Sequence, residues 1–443
     1  MVDAVDERTA VARLLRRTCF TASADEIDDA ARIGWDAVLA GVLSTAGDDA
    51  GVRATPVPEL PALNRPDMGD EQDEDARRAY TRGAREQMDD VRLWWLDRMV
   101  AADRPWRERR TLLWHGHWAT SFAKVRSASA LLAQNETERR LGGGDFRALA
   151  RAMVRDPALL IWLDAGRNRP GAPNENLARE LMELFVLGVG NYAETDVREA
   201  AEALTGWRVM RREDPPRVRY APRLHAGGTQ RILGHTEAFS DRSLVDLLVS
   251  RPESGRYLAT RLWGWLVSPS EPADASLRRV TEAYGAGRDL TALFRALLSD
   301  PALGQADSVL VRQPVEYVVG AMRALRLRPS TLDGKAAKAL LAGLQALGQL
   351  PFQPPSVGGW PSGGAWLTTS AARARLALGL RLAREADLSD LERTPRKERP
   401  EAVARTLGVE RWTARTKVAL DDAAGNPAEL TGLALAAPEY VVG

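Results

Sequence analysis

The sequence predicts an all-α fold: a large multi-helix globular protein with one small β-hairpin insertion near residues 207–233. Apolar residues recur at three- and four-residue spacing through most of the 443 residues, the period of a helix that buries one stripe. Proline and glycine clusters interrupt those stretches where helix ends are expected. Strand-like alternation is confined to a single region. With 45% apolar and 27% charged residues, the chain has the composition of an ordinary globular protein. Residues 1–443 are read as a single helical domain, with a proline-rich connector at 47–70 and sub-layers 1–206 and 234–443 on either side of the hairpin.

Two amphipathic helices open the chain, over 6–18 (Val11, Leu14, Leu15) and 24–44 (Ile27, Ala31, Trp35, Val38, Leu39, Val42). The connector follows, since Pro56, Pro58, Pro61 and Pro66 stand among few apolar positions. Helix resumes at the acidic run Glu71–Asp75 and continues through Trp94, Trp95, Leu96 and Met99 to about Ala102. Pro105 opens the next helix at its first turn. Helices are then expected over 105–123, 127–140, 144–155, 157–164, 175–187 and 195–205. Arg208-Val209-Met210 and Arg217-Val218-Arg219-Tyr220 flank Asp214-Pro215-Pro216 as the hairpin, and helices return from Leu244 onward. Gly188-Val189-Gly190 is a helix C-cap and not a phosphate loop, because no strand precedes it and the GxGxxG spacing fails. No internal repeat of fixed period is visible.

Several function classes are disfavoured at once. Sixty-one Lys+Arg against 60 Asp+Glu leave a net charge of +1, which does not mark a strongly basic nucleic-acid binder. Cys19 is the single cysteine, so neither an intrachain disulfide nor a multi-thiolate zinc site is available. The start, Met1-Val2-Asp3, lacks the basic and apolar regions of a signal peptide. Arg16-Arg17 resembles a twin-arginine pair, but the acidic Asp25-Glu26 stretch that follows makes them two helix-surface arginines instead. A cytoplasmic location is expected on this ground, and no 18-residue apolar run suggests a membrane span. Thirteen Trp against seven Phe are assigned to core packing ahead of ligand stacking.

Three segments hold candidate chemistry. In the helix from Asn174 to Gly188, Leu177, Leu181, Leu184 and Phe185 form one face, and Glu175, Asn176, Arg179, Glu180 and Glu183 the other. Val186 and Leu187 fall among the polar residues, so the polar stripe runs into protein at its end. Glu180 and Glu183 project side by side, and two half-buried carboxylates require a cation or a retained proton. Arginines including Arg179 neutralising them, with Asn174 and Asn176 capping the helix start, is the structural reading; a metal site or a general acid/base pair is the functional one.

The second segment is Trp114-His115-Gly116-His117-Trp118. Two histidines two residues apart differ by about 200° on a helix, so they share one ion only if Gly116 breaks the helix. They follow the charged Arg107–Arg110 stretch and are placed at the buried end of their helix, either as hydrogen-bonded core histidines or in a shared site with Glu180, Glu183 or His225. The third segment runs from Phe352 to Trp366, a Pro/Gly loop whose Trp360 and Trp366 either anchor it or stack on a ligand. Neither a zincin signature, a Ser-His-Asp arrangement nor a phosphate loop is found.

Together these stretches resemble a bacterial group, domain-of-unknown-function family 1800 (DUF1800). The matching pieces are Leu14–Thr18, Arg107–Arg109 with Trp114–His117, Asp156–Leu160, Asn174–Gly188, Asp196–Glu199, Leu204–Trp207, His225 with Leu233-Gly234, Pro314–Glu316, and Gln353–Pro355 through Trp360-Pro361. The resemblance is nearly end to end. Trp118 stands where the family usually has Phe, Cys19 where the turn usually leads to glycine, and Ala226 replaces an aspartate after His225. The resemblance implies a companion, an exported alkaline-phosphatase-like protein (DUF1501-type), with which a leaderless chain would be co-exported.

Two readings result. One is a ligand-binding or enzyme-like protein with a buried His/Glu/Arg site: Glu180, Glu183 and Arg179 as catalytic groups, His115, His117 and His225 as ligands to a divalent metal or as proton carriers, and Asn174, Asn176, Trp360 and Trp366 as ligand contacts. The other is a non-catalytic partner or scaffold for that companion.

Overall fold

The computed structural model describes residues 5–44, 47–63 and 74–443, and it is all-α with two small hairpins. The expected helix start at Glu71 and the connector's Pro66 lie outside the described residues. The helices that build the candidate site are α1 (Glu7–Cys19), α2 (Glu74–Ala101), α3 (Trp106–His117), α4 (Ala128–Leu141), α5 (Pro157–Trp162), α6 (Asn176–Glu180), α7 (Glu194–Ala203), α8 (Pro252–Leu266) and α9 (Pro314–Ala324). No described helix is long and apolar enough to cross a membrane.

Several expected elements change at their edges. The helix anticipated over 24–44 breaks at Gly34, whose φ of 91° lies in the left-handed region, giving Ala24–Ile33 and Trp35–Leu43. The connector contains a short helix, Ala50–Arg53. α3 stops at His117, and a separate turn Phe122–Val125 follows. The helix expected over 175–187 is α-helical only to Glu180; from Leu181 to Val186 it is π-helical. In place of one hairpin there are two, β1–β2 (Trp207–Met210 with Arg217–Tyr220) and β3–β4 (Gln230–Ile232 with His235–Glu237). The second was hidden because three-residue strands are too short to show a period.

Two large apolar cores fill the molecule, and α3 lies between them. One core gathers residues from Leu14 to Leu303 and includes Leu113, Trp114 and Trp118. The other joins Met88–Leu132 to Val315–Val441 and includes Leu112. A helix buried on all sides needs an apolar sequence all round, and the run Leu112-Leu113-Trp114 supplies it. The preceding stretch is buried too: Glu108 is fully inaccessible and Arg109 is 2% exposed, so the charged end of α3 is as deep as its histidine end.

Candidate functional site

The two histidines of α3 face opposite cores, as their angular separation requires. His115 lies among the rings of Trp95, Phe352 and Trp360, 4.7–5.3 Å away between centroids. Its Nε2 accepts a hydrogen bond from the Phe352 backbone N–H at 2.9 Å, so that nitrogen carries no proton. His117 lies against Trp114, Trp118 and Phe185. Its Nε2–H donates to the Phe185 carbonyl at 2.9 Å, which leaves Nδ1 buried without a partner. Burial, reinforced by Arg92, pushes the His115 imidazolium down to about 3. Burial and Arg261 hold His117 well below the usual imidazole range, against the opposing pull of the Phe185 carbonyl. Both are neutral at physiological pH.

Each histidine fastens one neighbouring segment to α3. His115 pins the loop 352–360 at its first residue, where Phe352 has a φ of 62° and its carbonyl accepts from Phe122 N at 2.8 Å. Farther along the loop, Gly359 (φ 87°) seats directly on Gly116; a Cβ there would lie 2.3 Å from the Gly116 carbonyl oxygen. His117 pins the π-helical turn. Leu187 and Gly188 both donate to the Met182 carbonyl, which leaves later carbonyls of the turn to side chains. Phe185 O is taken by His117, and Leu184 O accepts from Tyr257 of α8 at 2.5 Å. Arg261 of α8 completes the brace by donating to Tyr257 Oη and to Gly358 O, each at 3.1 Å. Loop, π-turn, α3 and α8 are thus one hydrogen-bonded unit.

On the outer side of this π-turn stand the acids. Glu183 accepts from the Tyr192 hydroxyl at 2.7 Å. Burial, then its bond to Glu183, pushes the Tyr192 phenol up to about 12, so it remains a donor throughout the physiological range. Glu180 is half-buried, and burial followed by the Glu183 charge raises its carboxyl pKa, against Arg179. Arg179 does not neutralise the pair by contact, because its fork is spent on Glu194 at 2.7 and 2.8 Å and on Glu175 at 3.0 Å.

The other expected site residues lie elsewhere. His225 is half-buried at the foot of the first hairpin, with Nδ1 3.1 Å from Thr205 O and its ring beside Tyr220; its hydrogen-bond and ring partners are not those of His115 or His117. Asn174 is occupied within its own loop, accepting from Asn176 N at 3.1 Å and donating to Asp164 O at 3.2 Å, and Asn176 is exposed. Trp366 is 4% exposed and anchors its loop, whereas Trp360 packs on His115. Among the described residues there is no group of three or more His, Cys, Asp or Glu side chains able to hold a metal ion.

Sequence reasoning missed two buried acid clusters. Glu108 receives Arg98 Nε at 2.8 Å, Arg139 Nε at 2.9 Å and Nη2 at 2.9 Å, and Trp95 Nε1 at 3.0 Å. Burial works against its charge, but Arg139 and Arg98 hold its carboxyl below the ordinary range. Glu138 is fully inaccessible, with both carboxyl oxygens unpartnered. Burial, then nearby Asp156, raises it well above the ordinary carboxylate range. Asp156, the N-cap of α5, bonds Gln134 at 2.7 Å and Leu159 N at 2.8 Å, yet burial still pushes it up to about 7. The clusters draw on α2, α3, α4 and the start of α5, so no single local spacing announces them.

A family model described as "Protein of unknown function (DUF1800)" matches residues 13–442, and the chain belongs to that family. No curated protein and no solved structure matches it.

Proposed function

We propose that the protein binds a small ligand, with enzyme-like acid/base capability, at the outer face of the π-turn, where Glu180, Glu183 and Tyr192 meet. The observation that carries this reading is a half-buried carboxylate pair whose neighbouring cation is spent elsewhere: Arg179 is held by Glu175 and Glu194. Two adjacent acids with unequal surroundings divide into one that keeps its proton and one that accepts. Glu180, whose carboxyl is raised by burial and by Glu183, takes the acid role, and Glu183, which already accepts from the Tyr192 hydroxyl, the base role. Tyr192 fixes Glu183 and supplies the local phenol. Such a site suits a hydroxyl-bearing or cationic ligand. His115 and His117 serve as positioning residues that hold the loop and the turn.

A thermal-shift screen of polyols, sugars, amines and divalent cations, run on the purified protein and on Glu183→Gln, tests this. A ligand at a hundred times its Kd stabilises by about 2.7 kcal/mol, and the expected result is a stabilising compound whose effect disappears in the variant. An unaltered ligand profile with only a lower Tm defeats the reading. Stabilisation by divalent cations alone, lost in Glu183→Gln, makes the pair metal ligands instead. The alkaline-phosphatase-like companion is the alternative: Val189, 75% exposed beside the same turn, would be at the contact, and co-expression would yield a stoichiometric complex.

A further inference from the structure

At the opposite end of α3, arginines from three segments converge on one small cavity. We propose that Arg16, Arg17, Arg109 and Arg312 form a binding site for a single small oxyanion of the phosphate type. Arg17, Arg109 and Arg312 are 4%, 2% and 7% exposed and Arg16 is half-buried, so Arg17 does not hold the surface position expected for the Arg16-Arg17 pair. Each guanidinium spends only part of its hydrogen-bonding capacity on protein. Arg17 Nη2 donates to Ser308 O at 2.8 Å, Arg109 Nε to Arg17 O at 3.1 Å, Arg312 Nη1 to Phe20 O at 3.2 Å, and Arg16 Nη2 to Gly408 O. Arg16 Nε, Arg17 Nε and Nη1, and Arg109 Nη1 are buried and have no partner at all.

The charge balance gives the same sign. Four guanidinium groups face one carboxylate side chain among the residues lining the cavity, Glu316. Its Oε1 lies 2.6 Å from Arg109 Nη2, without the alignment of a hydrogen bond. Burial and the neighbouring cations push Arg16 down to about 10 and Arg17 down to about 9, so both stay protonated at neutrality. Buried charges are normally paired, and buried donors without partners call for an ion or water. Forked guanidinium donors match the oxygens of a phosphate.

Size narrows the occupant further. The cavity measures about 30 Å³, against roughly 10–15 Å³ on the same measure for one water. That admits one small oxyanion and excludes a nucleotide. Trp265 and Phe20 form apolar walls, and Ser362 lies at the edge contributed by the Pro/Gly loop. Glu180, Glu183 and Tyr192 do not line this cavity.

Inorganic phosphate titrated calorimetrically into the intact protein, at ionic strength matched with sodium chloride, tests it. One saturable phosphate per chain is expected, together with a rise in Tm that chloride does not reproduce. Arg17→Lys and Arg109→Lys keep the charge and lose the fork, and each is expected to weaken binding about tenfold or more. Should a lysine variant fail to fold, Arg312→Gln, which removes one of the four charges, is expected to weaken phosphate binding at least as much. Absence of binding heat, or phosphate affinity unchanged in the variants, overturns the proposal.

Discussion

His115 shows what a single residue contributes when its ring is buried between two segments. Its Nε2 is the acceptor for Phe352 N–H, so His115→Phe retains the aromatic volume and strands that donor, at a cost of about 1–3 kcal/mol at pH 7. The folded pKa of about 3 lies below the unfolded value of about 6.5. As pH falls from 6.5 toward 3, the unfolded chain takes up a proton that the folded chain refuses, and native stability is lost at up to about 1.4 kcal/mol per unit. The phenylalanine variant escapes that loss. Urea unfolding at pH 7 and pH 4.5 is therefore expected to show a gap that narrows on acidification; an equal gap at both values refutes the assignment. The 200° separation of His115 and His117 was readable from spacing alone, and it placed them on opposite sides. Their partners were not readable, because Phe352 and Phe185 lie far along the chain in segments that only tertiary packing brings near.

Among the elements, α3 illustrates how a charged sequence is accommodated in a core. Glu108 joins α2 to α4 through Arg98 and Arg139, so the three helices share one buried anion. Glu108→Leu leaves two buried guanidinium groups facing each other and is expected to cost about 3–5 kcal/mol. Glu108→Leu combined with Arg139→Met removes one of the stranded cations, and chemical denaturation should show a smaller loss than for the single change. A double variant no more stable than the single one means the network is not coupled as the distances indicate. Helix positions were legible wherever the apolar period was regular, as over Glu7–Cys19. The π-turn from Leu181 to Val186 was foreshadowed only by Val186 and Leu187 falling on the polar side. Its cause, capture of the Leu184 and Phe185 carbonyls by Tyr257 and His117, belongs to other elements and leaves no mark on the local pattern.

On the scale of the whole molecule, the division into two cores does not run along the hairpin at 207–233. It runs through α3, because Met88–Leu132 packs with Val315–Val441, a pairing that periodicity cannot foretell. The cluster of Gln134, Glu138 and Asp156 sits where α4 meets α5, and it gives the fold a pH dependence opposite to that of the histidines. Asp156 has a folded pKa of about 7 against an unfolded value of about 3.9. Between those values the native state holds a proton that the unfolded state has released, so stability falls as pH rises, and the effect is complete once pH passes 7. Glu138, raised in the same direction, adds to it. Asp156→Asn keeps an acceptor oxygen for Leu159 N and removes the titrating group. Relative to that variant, the natural protein is expected to lose about 2–3 kcal/mol between pH 5 and pH 8, measured by urea unfolding at each pH. Parallel stability curves for the two proteins would show that Asp156 is ionised in the fold from the start, and that Gln134 and the amino end of α5 suffice to keep it charged.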